Sequence, residues 1–193
     1  MITVALDAMG GDLGVEATVG GAAALSLEDT DIVIVLVGDV TAMSNVLNTL
    51  SYDPGRLTMV HADGHVTMDD SPKEALERMP GCSVLTAARL VRDGKADALV
   101  SSGNTGATIL ASSRTFGLIP GIKRAALASV YPTETRHGPH RDPFALMLDV
   151  GATLEADADV LCSFAIMGSA YSQVISGIEA PKIALLSNGS EDG

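Results

Sequence analysis

Short apolar runs rich in β-branched residues alternate along this chain with longer stretches whose apolar positions return at helical spacing. "ITVALD" is the first such run and predicts a strand. The small-residue stretch from about Val15 to Leu27 predicts a helix. "DIVIVLVGD" predicts a buried strand stopped at Gly38, and a helix through Val46 and Leu50 follows it. The turn "YDPG" then leads to a third strand, "RLTMVH". Alternation of this kind predicts parallel strands joined by crossover helices.

Further on, Ser71, Pro72 and Glu74 spell a helix start. Ser71 is placed to cap, Pro72 fits the first turn, and Glu74 can reach back in a capping box. A second helix is predicted over about Ser83 to Asp93, closed by Gly94. The strand "ADALVS" comes next, then the loop "SSGNTGA" and another helix. Beyond Gly121 the pattern changes: "RAALASVYPT" and "PFALMLDV" predict an antiparallel pair. A long helix near Asp157 to Ser176 follows, and "PKIALLSNG" predicts a last strand. Val160 to Ile178 carries no charge and is long enough to span a bilayer. Its serines and Gln173, with Leu161, Phe164, Tyr171 and Ile175 at three-to-four spacing, predict a buried amphipathic helix instead. No repeat, low-complexity tract or flexible linker divides the chain, so the reading is one α/β domain over 1–193.

Composition sharpens the picture. Apolar residues make up 47% of the 193 and aromatics only 3%, so the core must be built of Ala, Val, Leu, Ile and Met. A net charge of −12 argues against a nucleic-acid binder. The densest positive segment runs from Lys123 and Arg124 to Arg136 and Arg141, with His137 and His140 between the last two. It suits a phosphate or an acidic partner, or simply a solvated loop. Two cysteines form no disulfide framework, which fits a reducing cytoplasm. The start "MITVALDAMGG" has no basic n-region and predicts no signal peptide.

In open α/β sheets ligands bind outside the carboxyl ends of the strands. Four glycine-bearing loops fall there: "DAMGGD", "SSGNTGA", "DVGAT" and "SNGSEDG". Gly103 and Gly106 let backbone approach a ligand, and the helix that follows offers unpaired amides and a positive dipole end. Asn104 and Thr105 add side-chain donors. The pattern suits an oxyanion or phosphate, and equally a tight strand–helix turn that binds nothing. No Lys follows the last Gly, so it is not a Walker loop, and "GGDLG" is not a dinucleotide fingerprint. Asp7, Asp12 and Asp149 are expected chiefly to bond nearby backbone. His61 and His65 form no zinc motif, and no G-x-S-x-G elbow occurs. Acyl transfer without a covalent enzyme intermediate remains open, with bound phosphate as the nucleophile.

Taken in order, "DAMGGD", "VHADGHVTMDDSPKEAL", "ADALVSSGNTGA", "LDVGAT", "FAIMGSAY" and "IALLSNGSEDG" resemble the PlsX-type phosphate acyltransferases. The resemblance implies a three-layer α/β/α sandwich, mostly parallel with an antiparallel strand pair, akin to isocitrate and isopropylmalate dehydrogenases. It implies transfer of a long-chain acyl group from acyl carrier protein to inorganic phosphate, giving acyl phosphate for phospholipid synthesis. It further implies a cytoplasmic homodimer peripherally associated with the membrane, and no metal or organic cofactor. On this resemblance Asn104 and Thr105 are the catalytic candidates. Asp7, Gly10, Gly11, Ser102, Gly103, Gly106, Asp149, Gly151, Asn188 and Gly189 are the binding candidates. Arg136 and Arg141 would meet the phosphate or the acidic carrier. "GGDLGVEA" lacks the His-Ala-Pro usual after the first motif, and the link "TETRHGPHRDPF" is longer than the family's common hairpin. Family chains also run well past residue 193, so an N-terminal portion is expected. The other readings are a short-chain phosphotransacetylase using coenzyme A thioesters and a truncated binding module without turnover.

Overall fold

A computed structural model describes residues 1–28, 31–137, 142–153 and 155–186. They fall into two units, Met1–Gly117 and Leu118–Gly193, taken here one at a time.

The first unit opens with β1 (Ile2–Asp7), α1 (Gly14–Ser26), β2 (Ile32–Gly38), α2 (Val40–Leu47) and β3 (Leu57–His61). It continues with α3 (Pro72–Arg78), α4 (Ser83–Arg92), β4 (Ala98–Ser101) and α5 (Thr105–Phe116). The strands form a parallel sheet in the order β3-β2-β1-β4. Alternation along a strand sends neighbouring side chains to opposite faces, and β2 shows the result. Ile34 and Leu36 pack with Val19, Ala22 and Ala23 of α1 and with Met43 and Leu47 of α2. Val35 and Val37 pack on the other face with Ala87, Leu90 and Val91 of α4. A third cluster joins Ala75 and Leu76 of α3, Val84 and Leu85 of α4, and Ala107 and Ala111 of α5. The result is the expected helix–sheet–helix sandwich. Fully burying a Leu or Val contributes about 1.5–3 kcal/mol, so the two-faced strand β2 is a main source of stability.

Helix starts follow short polar side chains. Asp39 accepts hydrogen bonds from the Thr41 and Ala42 amides at 2.8 and 3.2 Å and so caps α2. Ser71 stands at the N-cap position of α3, with Pro72 in the first turn, but its side chain makes no capping bond. The expected capping box is therefore absent there, and Asp70 organises the preceding turn instead. Gly94, at φ +68°, takes the left-handed conformation that closes α4.

In the second unit β5 (Ala128–His137) and β6 (Asp142–Leu148) form the expected antiparallel pair, and α6 (Ala158–Ile175) packs on β6. Gly168 permits that approach: a Cβ there would lie 2.7 Å from Cδ1 of Leu148. Two expectations fail in this unit. The helix buries only Val160 and Phe164, while Ile166 is 67% and Val174 80% exposed, because the strand pair is too narrow to cover its apolar girth. By length and composition α6 also meets the requirements of a bilayer-crossing helix. The last strand does not form over the described residues 181–186: they have no ladder partner, and Leu185 and Leu186 are exposed.

Candidate functional site at the β1–β4 switch point

The chain leaves β1 towards β2 on one side and returns with β4 on the other. The connections therefore diverge between β1 and β4, which opens a crevice at their carboxyl ends. The pairing register sets Asp7 beside Ser101, so the loop after β1 and the loop after β4 start side by side.

Glycine decides how near they come. A Cβ on Gly10 would lie 2.8 Å from the Gly103 nitrogen, and one on Gly103 would lie 3.1 Å from the Gly10 Cα. The two backbones touch with no room for side chains. Gly11 sits at φ +99°, and a Cβ there would meet the Ser102 Oγ at 2.7 Å. The Ser102 hydroxyl donates to the Gly10 carbonyl at 3.1 Å and laces the loops together.

Beneath them lies Asp7, only 4% exposed. Its Oδ1 accepts from the Met9 amide at 3.3 Å, and its Oδ2 accepts from the Ser101 hydroxyl at 2.8 Å. The Ser101 oxygen in turn accepts from the Gly103 amide at 3.1 Å. As expected, then, Asp7 bonds local backbone, and it reaches the second loop as well.

Asn104 caps α5 by accepting from the Ala107 amide at 3.0 Å. Its Nδ2 donates to the carbonyls of Thr67 and Asp70 at 3.1 and 3.2 Å. The whole amide is thus engaged in holding the loop to the turn before α3. That turn is fixed by Asp70, which accepts from the Thr67 amide and hydroxyl and from Arg78 at 2.8, 2.7 and 2.9 Å. The Thr67 hydroxyl above all, then the Thr67 amide and Arg78, hold the Asp70 carboxyl below its ordinary range. Gly106 brings α5 against α3, since a Cβ there would fall 2.7 Å from Cγ of Pro72.

Thr105 and Gly106 supply the first amides of α5, which have no partner within the helix, and the positive end of its dipole. Together with glycine-bared backbone, this is a setting for a small oxyanion. Beside it an open cleft of about 220 Å³ is lined by Met9, Asp12, His65, Thr67 and Met68 among others. Cys82 is fully buried, and burial pushes its thiol up, so it is no thiolate nucleophile.

The structure thus gathers Asp7, Gly10, Gly11, Ser102, Gly103, Asn104, Thr105 and Gly106 at one sheet edge. Asp149 and Gly151 lie in the second unit, after β6. Asp149 is held at φ +63°, and its Oδ1 is buried without a hydrogen-bond partner among the described residues. Arg136 is exposed on β5, whereas Arg141, Asn188 and Gly189 lie outside the described residues. Lys123 is paired with Asp159 at 3.0 Å. Sequence reasoning missed Ser101, Thr67 and Arg78. Strand register would have found Ser101, because both strands end on a polar residue at the same level. The Asp70–Arg78 pair has no local pattern to announce it.

The fold is that of a phosphotransacetylase-like α/β protein, with two glycine-walled loops meeting at the carboxyl edge of its sheet. The chain belongs to the fatty acid synthesis protein family, whose sequence model matches residues 2–193. Among its relatives are the phosphate acyltransferases of Syntrophomonas wolfei, 37% identical over 189 residues, and Bacillus subtilis, 40% identical over 189. That of Exiguobacterium sibiricum is 42% identical over 194. Each alignment takes in 98% of this chain but only 57%, 54% and 55% of the relative, so the chain spans about half their length. A phosphotransacetylase from Streptococcus pyogenes shares the fold with a TM-score of 0.69 at 21% identity, over 100% of this chain and 60% of that one. The EutD phosphotransacetylase from Staphylococcus aureus aligns with a TM-score of 0.61 at 20% identity, over 92% of this chain and 54% of its own.

Proposed function

We propose that the crevice holds inorganic phosphate and serves transfer of a long-chain acyl group from acyl carrier protein to that phosphate. The observation that carries this reading is the backbone-to-backbone approach of Gly10 and Gly103 beside the open first turn of α5. Such a site suits a small oxyanion held by backbone amides. The relatives' name supports the choice of reaction.

In the proposed step a phosphate oxygen attacks the thioester carbonyl. A C–O bond forms and the C–S bond breaks, the proton that phosphate gives up passes to the departing thiol, and acyl phosphate is released. Amides of the α5 turn, with Thr105, would stabilise the charge on phosphate and on the carbonyl oxygen. Asn104 would act by holding that turn. The chemistry calls for no metal or organic cofactor. The enzyme would work in the cytoplasm as a homodimer at the membrane surface.

The test is phosphate-dependent formation of acyl phosphate with palmitoyl-acyl carrier protein, palmitoyl-coenzyme A and acetyl-coenzyme A as donors. The reading expects turnover with the carrier-bound donor. Preference for acetyl-coenzyme A would make the chain a phosphotransacetylase. Phosphate binding without turnover by any donor would leave a binding module.

A further inference from the structure

One buried carboxylate reaches both loops of the crevice. Asp7 Oδ1 takes the Met9 amide of the first loop, and Oδ2 takes the Ser101 hydroxyl at the root of the second. A serine hydroxyl has one proton to give, and here Asp7 receives it. The oxygen is thereby turned to accept the Gly103 amide. The Gly103 nitrogen is also the atom that a Cβ on Gly10 would strike. The chain Asp7–Ser101–Gly103 therefore ends where the two loops touch.

We propose that Ser101 is a positioning residue for the phosphate site. It transmits the fixed carboxylate of Asp7 to the Gly103 backbone and so sets the height of the first-turn amides of α5 above the sheet edge. The Gly103 amide is spent on Ser101 and does not face the ligand. The amides of Thr105 and Gly106, two and three residues on, do. This inference rests on the phosphate reading above.

Titration of the 193-residue chain with inorganic phosphate, followed by the backbone amide resonances of Thr105 and Gly106, tests it. Wild type is expected to saturate. Ser101→Ala, which removes the relay, is expected to bind about tenfold more weakly, as loss of a part-buried hydrogen bond to a carboxylate implies. Ser101→Thr keeps the hydroxyl and is expected to restore affinity to within about twofold of wild type, a rescue that a packing role would not give. Ser101→Cys preserves volume with a poor hydrogen-bonding group and is expected to follow Ala, so the test stands even if the alanine variant folds badly. Equal affinity in wild type, Ala and Cys variants overturns the positioning role and leaves the phosphate site standing. Failure of Thr to rescue also overturns it. Absence of any phosphate response in wild type overturns the phosphate reading itself, and the inference with it.

Discussion

At the scale of single residues, the site is shaped by side chains that serve backbone. Asp70 is the clearest case, since three donors converge on its carboxylate and lower its pKa, the Thr67 hydroxyl foremost. A carboxyl whose folded-state pKa lies below its unfolded value adds stability above the ordinary aspartate range of about 4. That stability is lost as pH falls through the lowered value. The Thr67 amide resonance is therefore expected to titrate with a midpoint below about 4, and Asp70→Asn to abolish the transition. A midpoint at the ordinary value would show that the bonds do not persist in solution. Such details were only partly legible in the sequence. Gly10, Gly11, Gly103 and Gly106 announce themselves because few other reasons place glycines after strands. The Asp7–Ser101 link depends on the pairing of strands far apart in the chain, which no local pattern encodes.

At the scale of elements, periodicity served well wherever an element has a partner on the sheet. The strands β1 to β4 and the helices between them lie where apolar spacing placed them, because each buries its apolar face locally, except that α2 stops at Leu47, short of the expected Leu50. The same logic misjudged α6 and the run "KIALL". Their apolar residues follow the rules of burial, but the described residues offer no surface broad enough to cover them. Helix α5 is held at its start by one residue, Asn104, which combines a cap with a tether to the turn before α3. Asn104→Ala is expected to cost about 1–2 kcal/mol in urea denaturation for the cap. Displacement of the loop is expected to lower acyl-phosphate formation up to about a hundredfold. Asn104→Asp keeps the capping oxygen but sets a carboxylate oxygen against the Thr67 and Asp70 carbonyls, so it should recover part of the stability and none of the turnover. Equal recovery of both would assign Asn104 to capping alone.

At the scale of the whole molecule, the two units differ in kind. The three apolar clusters of Met1–Gly117 draw only on that unit's residues. In the described part of Leu118–Gly193, Val160 and Phe164 are the buried apolar side chains. A fragment of residues 1–117 is therefore expected to unfold in one cooperative thermal transition followed by circular dichroism. A fragment of residues 118–193 is expected to melt without cooperativity, since too little surface is buried to offset chain entropy. A cooperative transition in the second fragment would contradict this division. The order β3-β2-β1-β4 carries a consequence for the making of the site. The residues that bring its two loops together, Asp7 and Ser101, stand 94 positions apart, so the crevice closes only when the last strand of the sheet docks against the first. Joining such distant partners is a slow, entropically costly event in folding. If the crevice holds phosphate as proposed, ligand competence arrives late, and an anion bridging the loops would reward only chains whose sheet is finished.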